Sequence, residues 1–512
     1  MKLLYAALFL CVSITLSANQ PSANTLPTHL TNNWYRQSAK ELIRQISQLN
    51  PIDNPVTETP ICALVVPHAT YQYSGTVAAR GYYLAAQHMV TRIIILATSH
   101  DPDDQNIHVP LATAYQTPLG PVAIDSKAAD IVRASVYHNE IPKAGADDTP
   151  HTTDWYQQEH SLEIQLPLIK HYFPATPIVP IYVGHLSPTA RASLAETLES
   201  IITDETLVVI SSDFTHYGPD YRYRPFSVSI QENIKALDME AVDILLHKDT
   251  PDWFDFLEQT NATICGKEPL ALFLELRNRG TWSYTYPELI AYDTSGAQMN
   301  DFTNSVSYLS VCLHNYSISS AQKADLLTRS RSALTKALRT LTSDQPAPTI
   351  QPSSHDTMLN AHLGAFVTLN TINPDGSKQL RGCVGAIAPT KPLYETVKDF
   401  TTLATRNDPR FAPVTSDELD TIGITISVLT PAREVTSAKQ IVLGRDGLLL
   451  INEEEQAEAL FLPEVPIEQH FTLTQTLEEL SLKAGLPQNG YLLAGTRLST
   501  FQTISWSEAA PR

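Results

Sequence analysis

Cysteine is scarce in this chain, with five residues in 512. Small secreted domains held together by disulfide bonds contain a far higher proportion, so no disulfide framework is expected. Basic residues are also few: 35 Lys and Arg against 54 Asp and Glu give a net charge of −19, and no sizeable Lys/Arg run occurs. This balance argues against nucleic acid or an anionic membrane as a partner.

After residue 18 the sequence also lacks an apolar run long enough to cross a bilayer. The apolar run near the N-terminus, Leu3–Leu16, follows Lys2 and precedes the small residues Ser17 and Ala18. This arrangement is typical of a secretory signal peptide. We therefore expect residues 1–18 to be a signal peptide and the mature chain to be periplasmic or extracellular, with no integral membrane segment. A cytoplasmic location is the alternative.

The composition is that of folded domains. Hydrophobic residues make up 43% of the chain and charged residues 17%, a balance that disordered chains do not have. One hydrophobic core rarely serves a chain of 512 residues, so two or three domains are expected.

Histidine-bearing polar residues follow three short apolar runs in the first half of the chain. Runs of this kind predict buried strands of a parallel sheet, and ligands bind beyond the carboxyl ends of such strands. The runs and the residues that follow them are Ile61–Pro67 with His68, Arg92–Ser99 with His100, and Leu207–Ile210 with Asp213 and His216. Three such ends predict convergence on one site.

The pattern of predicted elements changes along the chain. Residues 30–315 alternate strand and helix signals, which predicts an α/β domain. A helix predicted at Ala321–Leu341, with Ser320 as its N-cap, precedes a Pro/Ser/Thr-rich stretch at 342–354. The strands predicted beyond it come with turn signals such as Asn373–Gly376, which favours an α+β domain with a largely antiparallel sheet.

Further polar residues complete a candidate site in the first domain. His160 lies in a polar cluster, Asp213 and His216 are three residues apart, and Cys265 precedes a glycine. Two imidazoles and a thiolate suit iron, copper or zinc better than magnesium or calcium. The alternative for any one of these histidines is a hydrogen-bonded residue of the core.

The first domain resembles the Memo family, which is similar in fold to class III extradiol dioxygenases. The resemblance rests on five motifs in the family's order: PHATYQYSG, ILATSH, EHSLEIQLP, SSDFTHYG and TICG. It implies that His68, His100 and Cys265 hold a metal, iron or copper. It further implies that His216 is the acid/base and that Asp213 and His160 line the pocket. Two departures matter: Thr70 replaces a usual glycine, and a cysteine ligand in place of a carboxylate weakens an expectation of ring cleavage.

The second half of the chain resembles the AMMECR-type domain. The motifs are LRGCVG around Cys383 and a DPRF segment that contains Asp408 and Arg410. Cys383, close to Arg381, is a candidate reactive thiolate, and Arg381, Arg406 and Arg410 are candidates to bind an anion. The alternative is structural: glycines that shape a turn, a packed cysteine and an Asp408–Arg410 ion pair. The resemblance begins near Ser320 and moves the domain boundary to about 316.

The chain as a whole is similar to a fusion of the B and A proteins of the AmmeMemoRadiSam system. We expect a signal peptide at 1–18, a Memo-like domain at 30–315 and an AMMECR-type domain at 316–512. The resemblance implies a radical SAM partner; the chain itself lacks the CxxxCxxC cluster motif. The expected function is metal-dependent redox chemistry, dioxygenase-like, on a small organic or peptide substrate. The alternatives are a non-catalytic peptide-binding scaffold and a metal-handling protein.

Overall fold

A computed structural model describes residues 25–49 except 31, 57–135 except 58, 138–141, 159–339 except 283, 357–435 and 438–508. The expected signal peptide, residues 1–18, and the Pro/Ser/Thr-rich stretch 342–354 lie outside the described residues. Among the helices that are described, none is both long enough and apolar enough to cross a membrane.

The first domain is built on a large mixed sheet. Its strands and those of a small accessory sheet are β1 Thr25–Leu26, β2 Ile61–Val66, β3 Arg92–Thr98, β4 Ile107–Pro110, β5 Ala114–Tyr115, β6 Val122–Ala123, β7 His138–Ile141, β8 Ile178–Val183, β9 Thr206–Ser211, β10 His216–Tyr217, β11 Thr285–Thr294 and β12 Ser305–Asn315. The strand order of the large sheet is β10-β12-β2-β9-β3-β8-β4-β7, and β11 also pairs with β12. The three predicted histidine-ended strands are therefore confirmed as β2, β3 and β9.

The prediction of a parallel sheet is correct for the four central strands, and the edge strands β4 and β7 are also parallel to each other. Strands β2, β9, β3 and β8 are parallel, whereas β12 pairs antiparallel with β2, and β4 antiparallel with β8. Strand β9 lies between β2 and β3, so the crossover that joins β2 to β3 passes over one strand. Each residue of β2 and β9 is buried, which explains their uninterrupted apolar sequences.

Helices cover this sheet. They are α1 Ala39–Leu49, α2 Gly75–Ala85, α3 Ser126–Arg133, α4 Leu166–Tyr172, α5 Pro188–Glu199, α6 Ile230–His247, α7 Thr250–Thr260, α8 Lys267–Arg279 and the short α9 Ser295–Met299. Helix α2 ends at Ala85, and the chain turns before β3 begins at Arg92. One large core joins the helices to the strands and includes Trp253 and Ile94, both fully buried.

The second domain contains two four-stranded sheets. The strands are β13 Ala365–Ile372, β14 Lys378–Ala386, β15 Ile422–Leu429, β16 Arg433–Glu434, β17 Gly447–Asn452, β18 Ala457–Phe461, β19 Thr496–Phe501 and β20 Thr503–Ser507. The helices are α10 Ser320–Arg339, α11 Thr357–Asn360, α12 Leu393–Arg406, α13 Glu464–Glu468 and α14 Leu473–Lys483. The sheet orders are β14-β13-β15-β20 and β16-β19-β17-β18, with antiparallel pairs throughout, as predicted.

Local signals explain two features of this domain. The predicted turn at Asn373–Gly376 joins β13 to β14, and Gly376 has φ of +83°, a conformation that favours glycine. Helix α10 begins at Ser320, so Ser320 is not its N-cap; Ser319 accepts a hydrogen bond from the amide of Gln322 instead. Leu326 and Leu334 of α10 belong to the core of the second domain.

The two domains adjoin along the ends of β11 and β12. Tyr316 and Ile318, which follow β12, are part of the core of the second domain, and Tyr286 of β11 packs against that core. A side-chain hydrogen bond of 3.3 Å joins Gln440 Nε2 to Asp243 Oδ1 across the boundary. The domains thus share both apolar and polar contacts.

Candidate metal centre

The strand order brings the ends of β2, β3 and β9 together at one edge of the sheet. Ser211 at the end of β9 is level with Val66 of β2 on one side and with Ala97 of β3 on the other. His68 and His100 each follow within two residues of their strands. The rings of these two histidines have centroids 5.2 Å apart.

His68 is a buried imidazole whose hydrogen bonds assign its tautomer. Its side chain is 1% exposed, and Nδ1 lies 3.1 Å from Ser211 Oγ. The Ser211 hydroxyl donates to Ser161 O at 2.6 Å, so it accepts from His68, and Nδ1 carries the proton. His68 Nε2 therefore presents a lone pair; it is buried and has no hydrogen-bond partner in the described structure. A buried acceptor in this state fits a metal ligand.

His100 is oriented by a carboxylate. Its Nδ1 lies 2.9 and 3.0 Å from the two oxygens of Glu159, which also accept from the His100 amide at 2.9 Å. Burial tends to raise the pKa of Glu159, but the hydrogen bonds and charge of His100 and the amide of Ser161 hold that pKa at about 2. The ionised carboxylate can only accept, so His100 donates from Nδ1 and keeps its Nε2 lone pair for another partner.

Cys265 approaches the two histidines because a glycine follows it. A Cβ on Gly266 would lie 2.4 Å from Cβ of Ser212, so no larger residue fits there without displacing the end of β9. The loop is fixed by hydrogen bonds from the Cys265 amide to Asp213 O, at 3.2 Å, and from Thr98 Oγ1 to Cys265 O, at 2.8 Å. Ligand atoms of His68, His100 and Cys265 all lie within 4.8 Å of one another.

A second group of side chains also has metal-ligand spacing, but its chemistry is less suitable. His100, Glu159 and His160 offer ligand atoms within 4.8 Å of one another. Glu159 is already engaged by His100 and by the amide of Ser161, at 2.9 Å. The group that contains Cys265 instead leaves three ligand atoms for a metal.

Burial keeps the two most buried imidazoles of the site neutral. Burial, followed by the charge of His100, lowers the pKa of His68 to about 3, and burial, followed by His68, lowers that of His160 to about 3. Both imidazoles are thus neutral at pH 7. Burial raises the pKa of the Cys265 thiol, and the charges of Asp213 and Glu159 raise it further. A metal ion bound to the sulfur would favour the thiolate, so metal binding would release the proton of that thiol.

His216 lies beside this group with one ring nitrogen available. Its Nδ1 lies 2.8 Å from Phe214 O and 2.9 Å from Thr263 O, and two carbonyl acceptors require Nδ1 to carry the proton. Its Nε2 lies 3.6 Å from Cys265 Sγ. The ring of Tyr221 meets the imidazole edge-on at 5.0 Å.

Asp213 and His160, the other two residues expected in the pocket, lie close to the proposed ligands. Asp213 is 4% exposed and accepts from the His68 amide at 2.7 Å; burial raises its pKa. His160 stacks on His100, with ring centroids 4.7 Å apart, and contacts Trp34 at 4.6 Å. Thr70, at the position where glycine is usual, has no positive φ, so this departure introduces no backbone strain.

The second-domain candidates lie on β14, at the end of α12 and in the loop that follows α12, and other protein groups already contact them. Asp408 forms an ion pair with Arg410 at 2.8 Å and accepts from the Cys383 amide at 2.8 Å. Arg381 pairs with Glu418 at 2.6 Å, and Arg406 donates to Ala337 O. Because each guanidinium has a protein partner, this geometry favours the structural alternative over an anion site formed by Arg381, Arg406 and Arg410.

Three supporting residues were not identified from the sequence. Glu159 precedes His160 in the EHSLEIQLP motif, and Ser211 begins the SSDFTHYG motif. Both residues could therefore have been found from their positions in motifs that the sequence shows. Asp238 had none, since it lies inside α6. It is fully buried and accepts from Thr215 Oγ1 at 2.6 Å and from Tyr292 Oη at 2.8 Å.

We expect Asp238→Ala to lower the free energy of unfolding of the first domain by about 2–3 kcal/mol, because buried donors lose their acceptor. Asp238→Asn keeps one acceptor oxygen for Thr215 and should cost less than about 1.5 kcal/mol. Urea denaturation followed by circular dichroism measures both. Equal losses for the two variants would contradict the role given to these hydrogen bonds.

Comparison with known proteins gives the same two-part division. The family model described as Memo-like protein matches residues 27–312, and the AMMECR1 model matches residues 330–506. The protein memo-1 homolog of Caenorhabditis elegans is 27% identical over 58% of this chain and 84% of its own length. A MEMO1 family protein of Schizosaccharomyces pombe is 29% identical over 55% and 96%, and human protein MEMO1 is 30% identical over 54% and 92%.

Proposed function

The chain belongs to the Memo-like protein family and carries an AMMECR1 domain after the Memo domain, and from this we propose that its first domain binds iron or copper for redox chemistry. The proposed ligands are His68, His100 and Cys265. The observation that carries the proposal is the buried Nε2 lone pair of His68, which has no partner among the described residues and lies within 4.8 Å of ligand atoms of His100 and Cys265.

The donor set fits these metals. Two imidazole nitrogens and one thiolate suit iron, copper or zinc, and three protein ligands leave coordination positions open. When bound, iron or copper would supply a change of oxidation state and open positions for a small substrate. Ser211 and Glu159 keep both Nδ1 atoms protonated, so that both Nε2 atoms are available.

The remaining pocket residues bind and move protons in this proposal. His216 accepts a proton at Nε2, because its Nδ1 is held by two carbonyl groups. The nearest sulfhydryl is that of Cys265, at 3.6 Å, so this thiol can transfer its proton to His216 when it becomes a thiolate. Asp213 holds the backbone of His68, and His160 with Trp34 forms an aromatic wall against which a small organic or peptide substrate would pack.

The proposal also covers a partner protein and the cellular location of the chain. We propose a radical SAM protein of the same system as the functional partner and export of the mature chain. The two are compatible only if the partner is encountered before export or in the same compartment. N-terminal sequencing of the mature protein tests export. A chain that begins near residue 19 supports export, and one that retains residues 1–18 contradicts it.

Metal analysis of protein purified without oxygen tests the metal site. We expect about one iron or copper ion per chain and an affinity at least about tenfold lower, or 1.4 kcal/mol, in Cys265→Ser. Cys383→Ser, which changes a thiol of the second domain, is the matched control and should retain the metal. Equal metal content in both variants would remove Cys265 from the site. Bound metal without any redox turnover would instead favour metal handling.

A further inference from the structure

A polar groove of about 1160 Å³ lies between the two domains. The first domain contributes the end of α8, with Arg277, and the segment that contains Trp282. The second domain contributes Arg433, Arg445 and residues of β20 such as Thr503. None of the proposed metal ligands lines this groove, so its function is separate from that of the metal centre.

Three arginines share this groove, although the chain has a net charge of −19. The side chain of Arg433 forms no hydrogen bond or ion pair with the described residues, and its Nε is buried. Burial lowers the pKa of Arg433, and the charges of Asp446 and Asp243 offset this only in part. Arg277 donates to the backbone carbonyls of Leu245 and Lys248. Burial, followed by the positive charges of Arg445 and Arg433, lowers the pKa of Arg277 to about 10. The protein thus places like charges together at a cost in stability.

Two uncharged donors in the groove also lack acceptors in the described structure. Trp282 is 6% exposed, and its indole Nε1 is buried without a partner. The Thr503 hydroxyl is likewise buried and unpartnered. Buried donors are normally satisfied, and together with Arg433 these two point to missing acceptors. Of the carboxylates that line the groove, Asp446 is paired with Arg445 at 2.8 Å, Asp249 and Asp252 cap α7, and Glu464 is exposed.

We propose that this groove is a binding site for a multiply charged oxyanion, a phosphate-bearing or polycarboxylate small molecule, held between the Memo and AMMECR1 domains. Guanidinium groups form strong, charge-assisted hydrogen bonds to the oxygens of both kinds of ligand. Such a ligand neutralises Arg433 and Arg277 and supplies acceptors to Trp282 and Thr503. Because both domains contribute donors, its binding stabilises their relative position.

Isothermal titration of the full chain with pyrophosphate and, separately, with citrate tests the proposal in a buffer free of phosphate. We expect at least one of the two anions to bind and its affinity to fall at least tenfold in Arg433→Gln. Binding of pyrophosphate alone assigns a phosphate-bearing ligand, and binding of citrate alone assigns a carboxylate. If neither binds to the wild-type chain, the proposal is wrong.

Controls separate recognition of the ligand from a structural role. Arg433 donates no side-chain hydrogen bond to the described residues, so Arg433→Gln without anion should melt at the same temperature as the wild type or higher. Arg497→Gln changes a half-exposed arginine that pairs with Glu453 outside the groove, and it should leave anion binding unchanged. Trp282→Phe removes one donor, keeps an aromatic side chain at this position, and should weaken binding severalfold. Equal affinity in Arg433→Gln and Arg497→Gln would overturn the proposal.

Discussion

His68→Ala is expected to reduce the metal bound to the first domain from about one ion per chain to less than about a tenth. In Cys265→Ser an oxygen atom replaces the sulfur and can still contact the metal. In His68→Ala no ligand atom remains at the innermost position of the site. His68 is 1% exposed, so its Nε2 is the ligand atom on the buried side of the site, and the substitution removes it. Metal analysis of the purified variant, with circular dichroism to verify folding, measures the effect.

The hydrogen bonds around His68 indicate that the variant still folds. Ser211 Oγ keeps its bond to Ser161 O, at 2.6 Å, and still accepts from Gln165 Nε2, at 2.9 Å. The matched control is His88→Ala, since the ring nitrogens of His88 are also buried but His88 belongs to neither group with ligand spacing. A folded His68→Ala protein with full metal content would show that this histidine is not a ligand and would favour a binding or scaffold function.

The sequence predicted the strands of the site because parallel strands at the centre of a sheet have uninterrupted apolar runs. It could not predict that β9 lies between β2 and β3, since strand order depends on how the helices pack. This order places Ser211, at the end of β9, between the ends of β2 and β3, where it sets the tautomer of His68. The Memo resemblance implied the ligand role of Cys265, which the residues alone showed only as a thiol before a glycine.

Other features depend on contacts between distant parts of the chain. In the sequence, Asp238 is an ordinary polar residue of a predicted helix, and nothing indicates that it is buried. The fold shows that it is fully buried and contacts Thr215 and Tyr292. Arg277 and Arg433 are far apart in sequence and meet only because the two domains adjoin. In the second domain, the sequence suggested both an anion site and a structural ion pair, and the Asp408–Arg410 contact favours the second.

Trp253→Ala is expected to lower the free energy of unfolding of the first domain by about 3–5 kcal/mol. Trp253 is fully buried in the core of that domain, and its ring stacks on Phe256 with centroids 5.9 Å apart. Its Nε1 donates to Lys267 O at 3.0 Å, at the first residue of α8. The substitution therefore leaves a large cavity and loosens the helix start that follows Cys265, so the affinity for metal should fall together with stability.

Denaturation of Trp253→Ala, followed both by circular dichroism and by metal release, separates the loss of stability from the loss of metal affinity. Trp253 belongs to the core of the first domain, whereas the second domain has separate cores around Leu334 and Leu450. The unfolding transition of the second domain should therefore change little in Trp253→Ala. Trp253→Phe keeps most of the ring and loses the hydrogen bond, so we expect a loss of about 1–2 kcal/mol. If Trp253→Ala released no metal despite the lower stability, the start of α8 would hold Cys265 in place without support from Trp253.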